Sequence, residues 1–417
     1  MKMEILQKFA PAMKGRSFTI YFWSQWASYI GTGLQMVTLG ILVYEITGHS
    51  SFWVAMMVFL GLAPSTILCP TVGGVIIDKH HIRTVMYTTQ TLGALQALAL
   101  AYIATHNPQV WQIIICTVFG SLITSVDAPA RHRLMIDIVP QNHIPSALAL
   151  NGVLITAGQV IGGALAGIVF IVSKGYAGAF LINAMSFATV LATLSMMKIN
   201  HEQHDHTESW LNMLKLGARY MLGEKTVLLQ LALVGVLSSI GFSYRSLLPA
   251  IARDIYGAQS NLALTKVAGY VSAAIALGSV IGGLIVSANS EKFRETLRFL
   301  VIGGSLTMGV MWIAFPVFHK IAVGLPLMFV FGVSFTISFS SLRSSVKQFV
   351  KTTNSRMLGR IIGFDFMFFF GGMSIGNLIM GNLADWFGIS MTMQSIGMLT
   401  VVMSILLFFG RGRLQTA

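Results

Sequence analysis

Long apolar runs, broken by short polar intervals, dominate the chain from residue 17 to residue 410. A helix that crosses a bilayer needs roughly 17–25 mostly apolar residues. Twelve stretches qualify, at 17–44, 52–76, 84–104, 110–128, 147–172, 176–198, 226–250, 266–288, 296–318, 323–342, 357–383 and 390–410. The longest polar interval, 199–225, contains the run NHEQHDHTESW and divides the spans into two sets of six. The expected architecture is therefore an all-α membrane protein. It has an N-terminal six-helix bundle (1–198), a cytoplasmic linker (199–225) and a C-terminal six-helix bundle (226–417).

Composition agrees with this pattern. Of 417 residues, 55% are hydrophobic and 10% are charged, where a soluble domain carries roughly 25% charged residues. Lipid must be the solvent for most of such a surface. Residues 1–16 are basic and lead into the first span without a small-residue cleavage site, which reads as an uncleaved helix. Cys69 and Cys116 both lie in apolar runs and read as packing residues.

The net charge of +13 is a topology signal. With the N-terminus inside, 22 of the 27 Lys and Arg residues fall on inside segments and four on outside loops, with Arg245 within a span. Basic residues favour the cytoplasmic side, so both termini are expected inside, with anionic headgroups as neighbours. Nucleic acid is not an expected partner. Three glycines at 158, 162 and 167 recur at 372, 376 and 381, an offset of 214 positions. Such a face lets helix backbones approach closely, and duplicated six-helix halves are an architecture of transporters.

The stretch Gly73-Gly74-Val75-Ile76-Ile77-Asp78-Lys79-His80-His81-Ile82-Arg83 resembles the loop signature of the major facilitator superfamily. DAPARHRLMIDIVPQNHIPSALALNG (127–152), SLLPAIARDIYG (246–257), SRMLGRIIG (355–363) and GNLADWFG (381–388) resemble its enterobactin-exporter-like and drug-exporter-like branch. The resemblance implies alternating access around a cavity built by helices 1, 4, 7 and 10, export of a small amphipathic solute such as a siderophore or drug-like compound, and protons as coupling ion. Three departures bear on the drug–proton reading. Gly162-Gly163 stands where a Gly-Pro is usual, the Arg-x-x-x-Gly of helix 4 is absent, and the second-half loop signature is reduced to SANSEKFR (287–294).

Candidate residues follow from these two sources. Asp78, at the inner end of helix 2, would in this fold face the N-terminus of helix 11, where a dipole favours an anion. Gly74, Asp78, Lys79, Arg83, Asp127, Arg131 and Arg360 form the candidate latch, with Arg83 or Arg131 pairing Asp78 or Asp127; a plain topology anchor is the alternative. Asp365 is an intramembrane carboxylate, hence a functional candidate; it is either a proton carrier or the partner of Arg360 or Arg356. Arg245 either snorkels to outer headgroups or binds an anion. Gln25, Ser28, Thr32 and Gln35 share one helix face by spacing. With Ser239, Phe242, Ser334 and Ser338 they are the candidate cavity wall, against the alternative of helix–helix hydrogen bonds.

His201, His204, His206 and Asp205 lie in the linker and read as solvated, so no metal or other cofactor is expected. Import or lipid flipping by the same fold stays open. A membrane-embedded enzyme would need a catalytic cluster, and none is visible in the apolar segments. A sensor without transport would need an extra soluble domain. The expected form is a monomer in the cell (inner) membrane, with a small-molecule substrate.

Overall fold

The computed structural model describes residues 13, 15–68, 74–140, 143–197, 210–288, 297–354 and 357–409. The described residues are almost wholly helical. The first group comprises α1 (Arg16–Ile46), α2 (Ser51–Leu68), α3 (Gly74–Lys79), α4 (Ile82–Thr105), α5 (Val110–Asp137), α6 (Ile144–Ser173) and α7 (Ala177–Met196). After α8 (Trp210–Gly223) come α9 (Lys225–Gly241), α10 (Tyr244–Ala250), a π-helical turn (Ile251–Ile255), α11 (Asn261–Ala288), α12 (Leu297–Ala314), α13 (Ile321–Asn354), α14 (Leu358–Phe387) and α15 (Ile389–Phe409). Among the described residues, ten helical spans are long and apolar enough to cross a membrane. The other two expected spans coincide with α4, which carries Gln90 and Gln96, and with α6, whose apolar part is Ala157–Ser173.

Two inner boundaries differ from the hydropathy pattern. α5 continues to Asp137 and α13 to Asn354, well past 128 and 342. Charges begin there, but helical hydrogen bonding continues because other helices cover those turns. Arg131 and Arg343 are thus helix residues packed in the protein rather than loop anchors. The linker also differs from a plain solvated segment. α8 packs on α14, with Gly217 beside Phe364 and Arg360, while His201, His204, Asp205 and His206 lie outside the described residues.

Packing sorts the helices. α1 lies against α6 and α7, α4 against α5 and α7, and α2 against α5. Among the later helices, α13 packs on α11, α12 and α9, α12 on α15, and α9 on α14. The two sets meet chiefly along α2–α14 and α6–α11, with α10 touching α1 and α2. The repeated glycines build these seams. A methyl group at Gly162 would overlap the Ile30 carbonyl of α1, and one at Gly372 the Gly235 carbonyl of α9. Further along each helix the third glycine faces the other set. Gly167 meets Lys266 of α11, and Gly381 meets Ser51 of α2.

One apolar core is shared by both sets. It joins Leu34–Tyr44 of α1 and Met57 of α2 to Leu247, Ile251, Ile275 and Met380. The remaining clusters each belong to one set: Tyr21, Ile82, Leu134 and Leu194; Met13, Phe18 and Met135; Val227, Val346 and Ile361. In the orientation set by the basic residues, the members that the first set gives to the shared core lie toward the outer ends, those of the second set reach inward as far as Leu233, Val301 and Leu342, and the single-set clusters lie toward the inner ends. Among the described residues, the apolar contact between the halves is concentrated toward the outer side.

Candidate functional site

In the first half, Arg131 ties three helices together. Its Nε donates to Asp127 Oδ2 one turn earlier at 2.5 Å, its Nη1 to Gln25 Oε1 of α1, and its Nη2 to Gln90 Oε1 of α4 at 3.3 Å. Asp127 Oδ1 accepts from Thr89 Oγ1 at 2.8 Å and Gln90 Nε2 at 2.6 Å. The guanidinium also lies 5.6 Å from the Tyr29 ring centroid. A charge this deep is tolerable only when paired and hydrogen-bonded, and the network supplies both.

The second half repeats the arginine. Arg343 of α13 stands 212 positions after Arg131 of α5, close to the glycine offset. Its Nε donates to Asp365 Oδ2 of α14 at 2.8 Å, and its Nη2 donates to the same oxygen. Phe339, Phe366 and Phe369 present their rings to its guanidinium at 5.1–5.4 Å. Asp365 is 1% exposed, and its Oδ1 is buried with no hydrogen-bond partner among the described residues. The partner of Asp365 is therefore Arg343 across a helix seam, where the sequence pointed to Arg360 or Arg356 on its own strand of chain. Arg360 instead lies against α8 and sends Nη1 to the Met357 sulfur at 3.3 Å; Arg356 lies outside the described residues.

The polar stripe of α1 divides between two faces. Gln25 serves Arg131, and Thr32 donates to the Ser28 carbonyl at 2.9 Å. Gln35 accepts from Asn183 of α7 at 2.7 Å, and Ser28 is buried. Gly31, between them on that face, lies against Asn183 and Ser186. Residues 28, 31 and 35 therefore lean on α7, while Gln25, Tyr29, Thr32 and the exposed Met36 share the neighbouring face. In α13, Ser338 donates to the Val301 carbonyl of α12 at 2.8 Å and Ser334 to the Val330 carbonyl one turn back. Both flank Gly304 of α12, so they are packing residues in this structure rather than a cavity wall. Small hydroxyls satisfy themselves on a helix backbone, which is why they read as cavity polarity in a sequence. Ser239 lies against Gly376.

Phe242 is placed at a break. α9 stops at Gly241 and α10 starts at Tyr244, so the seventh span is discontinuous at Phe242–Ser243. Asn377 of α14 covers the break by accepting the Ser246 N–H at 3.3 Å. Phe242 packs edge-on to Phe335, Phe339 and Phe369. Arg245, one turn on, does not reach for headgroups. Its Nη2 donates to Gln159 Oε1 of α6, in the other half, at 3.0 Å, and its guanidinium lies 5.1 Å from the Phe242 centroid.

Of the latch candidates, Arg131 and Asp127 are together. Arg83 sends Nη2 to the Ser195 carbonyl in the last turn of α7 at 3.3 Å, and Lys79 is exposed. The side chain of Asp78 and the surroundings of Gly74 lie outside the described residues. Sequence reasoning missed Gln90, Gln159, Asn377 and Arg343. For Arg343 a signal was available, namely its half-chain offset from Arg131.

The sequence model of the family described as transmembrane secretion effector matches residues 7–415. The chain belongs to that family of major facilitator transporters. It is a multi-pass membrane transporter and not an enzyme. Relatives include the MFS-type transporter YfiS of Bacillus subtilis, 23% identical over 93% of this chain and 91% of that protein. The Staphyloferrin A transporter of Staphylococcus aureus is 22% identical over 95% and 96%. Among solved structures, a mutant of the nucleoside transporter NupG superposes with a TM-score of 0.77 at 14% identity, covering 95% of this chain and 98% of that one. A POT family transporter in complex with 5-aminolevulinic acid gives 0.73 at 14%, covering 96% and 97%. At these identities the structural likeness shows the fold alone.

Proposed function

We propose that this facilitator exports a small amphipathic solute, of the siderophore or drug-like kind, from the cytoplasm by alternating access across the cell membrane. The observation that carries the proposal is the division of the apolar core among the described residues: the first half joins the shared core toward the outer ends, and the clusters toward the inner ends are each confined to one half. Such a shape admits solute from the inside. The bundles 1–198 and 226–417 act as rocking bodies of a monomer, and 199–225 joins them. The outward direction is supported by the secretion description of the family, and the siderophore kind of solute by a relative named for staphyloferrin A.

Within this cycle, Asp365 is our candidate for the coupling proton. Its Oδ2 holds Arg343 while Oδ1 has no partner among the described residues, so a proton on Oδ1 would weaken the ion pair without displacing another donor. Asp78, with Gly74, is retained as the inner latch of the outward-facing state. Gln25, Thr32, Phe242 and Arg245 are the proposed substrate-facing residues.

Untargeted metabolite analysis of medium and cells, with and without the gene, tests direction and class together. A solute lost from the medium and retained in cells lacking the gene supports export. Accumulation of a solute only in cells that carry the gene points to import and overturns the proposal. A change confined to the lipid distribution between leaflets points to flipping and overturns it equally.

A further inference from the structure

Arg131, Arg343 and Arg245 lie within helices, and their charges are handled differently. Arg131 is paired with Asp127, and Arg343 with Asp365, each within its own half. Arg245 has no carboxylate within ion-pair distance among the described residues; its hydrogen-bond acceptor is the neutral amide of Gln159. A guanidinium inside a transporter is expensive without a counter-charge. Arg245 is only partly exposed, and it sits where the seventh span is interrupted, a feature that marks substrate sites in transporters. Gln159 lies halfway along α6 (Ile144–Ser173), which brings the guanidinium toward mid-membrane.

Phe242 adds the second half of a recognition surface. Its ring faces the Arg245 guanidinium and abuts Phe335, Phe339 and Phe369. A planar fork of N–H donors selects carboxylate geometry, and the adjoining aromatic cluster suits a ring or alkyl body. We infer that the transported solute is an amphipathic organic anion whose carboxylate binds Arg245 while its apolar body lies against Phe242. The inference rests on the transporter reading and adds the substrate's charge to it.

Binding has a conformational consequence. Arg245 and Gln159 belong to opposite halves, and their hydrogen bond is part of what joins them. A carboxylate is a stronger acceptor than a side-chain amide. When it takes over the guanidinium, Gln159 is released, and one contact between the halves goes with it. The cargo thereby loosens a contact that holds the halves together.

Purified full-length protein is titrated with naphthalene-2-carboxylate and with its neutral amide, naphthalene-2-carboxamide. The carboxylate should bind the wild type about tenfold more tightly than the amide, the scale of one charge-assisted hydrogen bond. Arg245→Gln should abolish that preference. Gln159→Ala should keep it or strengthen it, whereas a merely bridging role for Arg245 would make both variants behave alike. Arg245→Lys, which preserves charge, should retain part of the preference if Arg245→Gln does not fold. Equal binding of acid and amide by the wild type, no binding of the acid, or an unaltered preference in Arg245→Gln would each overturn the inference. Export of a neutral solute, unaffected by Arg245→Gln, would overturn it while leaving export intact. Acid binding by a protein that exports nothing would do the reverse.

Discussion

Asp385, at the outer end of α14, caps the N-terminus of α2 in the other half through Ser51. Its Oδ1 accepts the Ser51 N–H at 2.7 Å, and its Oδ2 accepts the Phe52 N–H at 3.1 Å and the Ser50 hydroxyl at 2.6 Å. Free amides at a helix start are natural partners for a carboxylate. One turn before it, Gly381 lets α14 come close, since a methyl there would lie 2.7 Å from the Ser51 carbonyl. The same Gly-x-x-x-Asp spacing occurs at Gly74 and Asp78, the proposed inner latch. α14 gives its carboxylate to α2 outside, and Asp78 is proposed to return the favour inside.

Removing this cap should loosen the outer side. Asp385 is exposed, so its effect is discounted to about 1 kcal/mol, the scale of an N-cap. In a background lacking Cys69 and Cys116, a cysteine at Met36 should react about fivefold more with an impermeant maleimide in Asp385→Ala cells. Unchanged labelling would make the cap a purely local feature of α2.

Neutralising Asp365 alone should be far worse than neutralising its pair. Asp365→Asn leaves the Arg343 guanidinium without its carboxylate, a loss of about 3–5 kcal/mol for a buried pair. Melting temperature should fall sharply in the single variant and recover in Asp365→Asn/Arg343→Gln. Gradient-driven transport is the second readout. Recovery of folding without recovery of coupled transport supports the proton role, and recovery of both removes it.

The helices were legible because lipid demands long apolar runs, and the seam glycines because close approach demands the absence of a side chain. Hydropathy failed where helix and lipid part company. The inner turns of α5 and α13 are helical although polar, which hid Arg131 and Arg343 among the loop residues. The pairing of Asp365 with Arg343 depends on how α13 and α14 rotate against each other, information that no spacing along one helix contains. Ser334 and Ser338 misled for a different reason. A serine facing a neighbouring helix and a serine facing a cavity have the same periodicity.

Lysine should not replace Arg131. Its ammonium can satisfy Asp127 but lacks the fork that also reaches Gln25 and Gln90 from one plane. Arg131→Lys is expected to keep most of its expression yet lose most of its transport in proteoliposomes. Gln90→Ala should be milder, since it leaves Thr89 on the Asp127 carboxylate. Equal activity of Arg131→Lys and wild type would show that charge alone suffices there.

The glycine seams offer a contrast within one protein. Gly162→Ala and Gly372→Ala push a methyl into backbone of α1 and α9, and overpacking costs about 1–3 kcal/mol. Gly303→Ala meets nothing within 4 Å and removes a flexible residue from a helix, so it should leave thermal stability unchanged or slightly raised. A uniform response of all three would mean that the seams can readily spread.

The confinement of both ion pairs to single halves has an electrical consequence. In the proposed rocking cycle Arg131 would travel with Asp127 and Arg343 with Asp365, so each would move as a dipole. The membrane potential, worth about 2.3 kcal/mol per elementary charge per 100 mV, has little purchase on them. Arg245 is the exception, a charge with no carboxylate within ion-pair distance among the described residues. An empty carrier would then feel the voltage more than one loaded with the proposed anion, and the return stroke, rather than the stroke that carries cargo, would set how transport responds to the membrane potential.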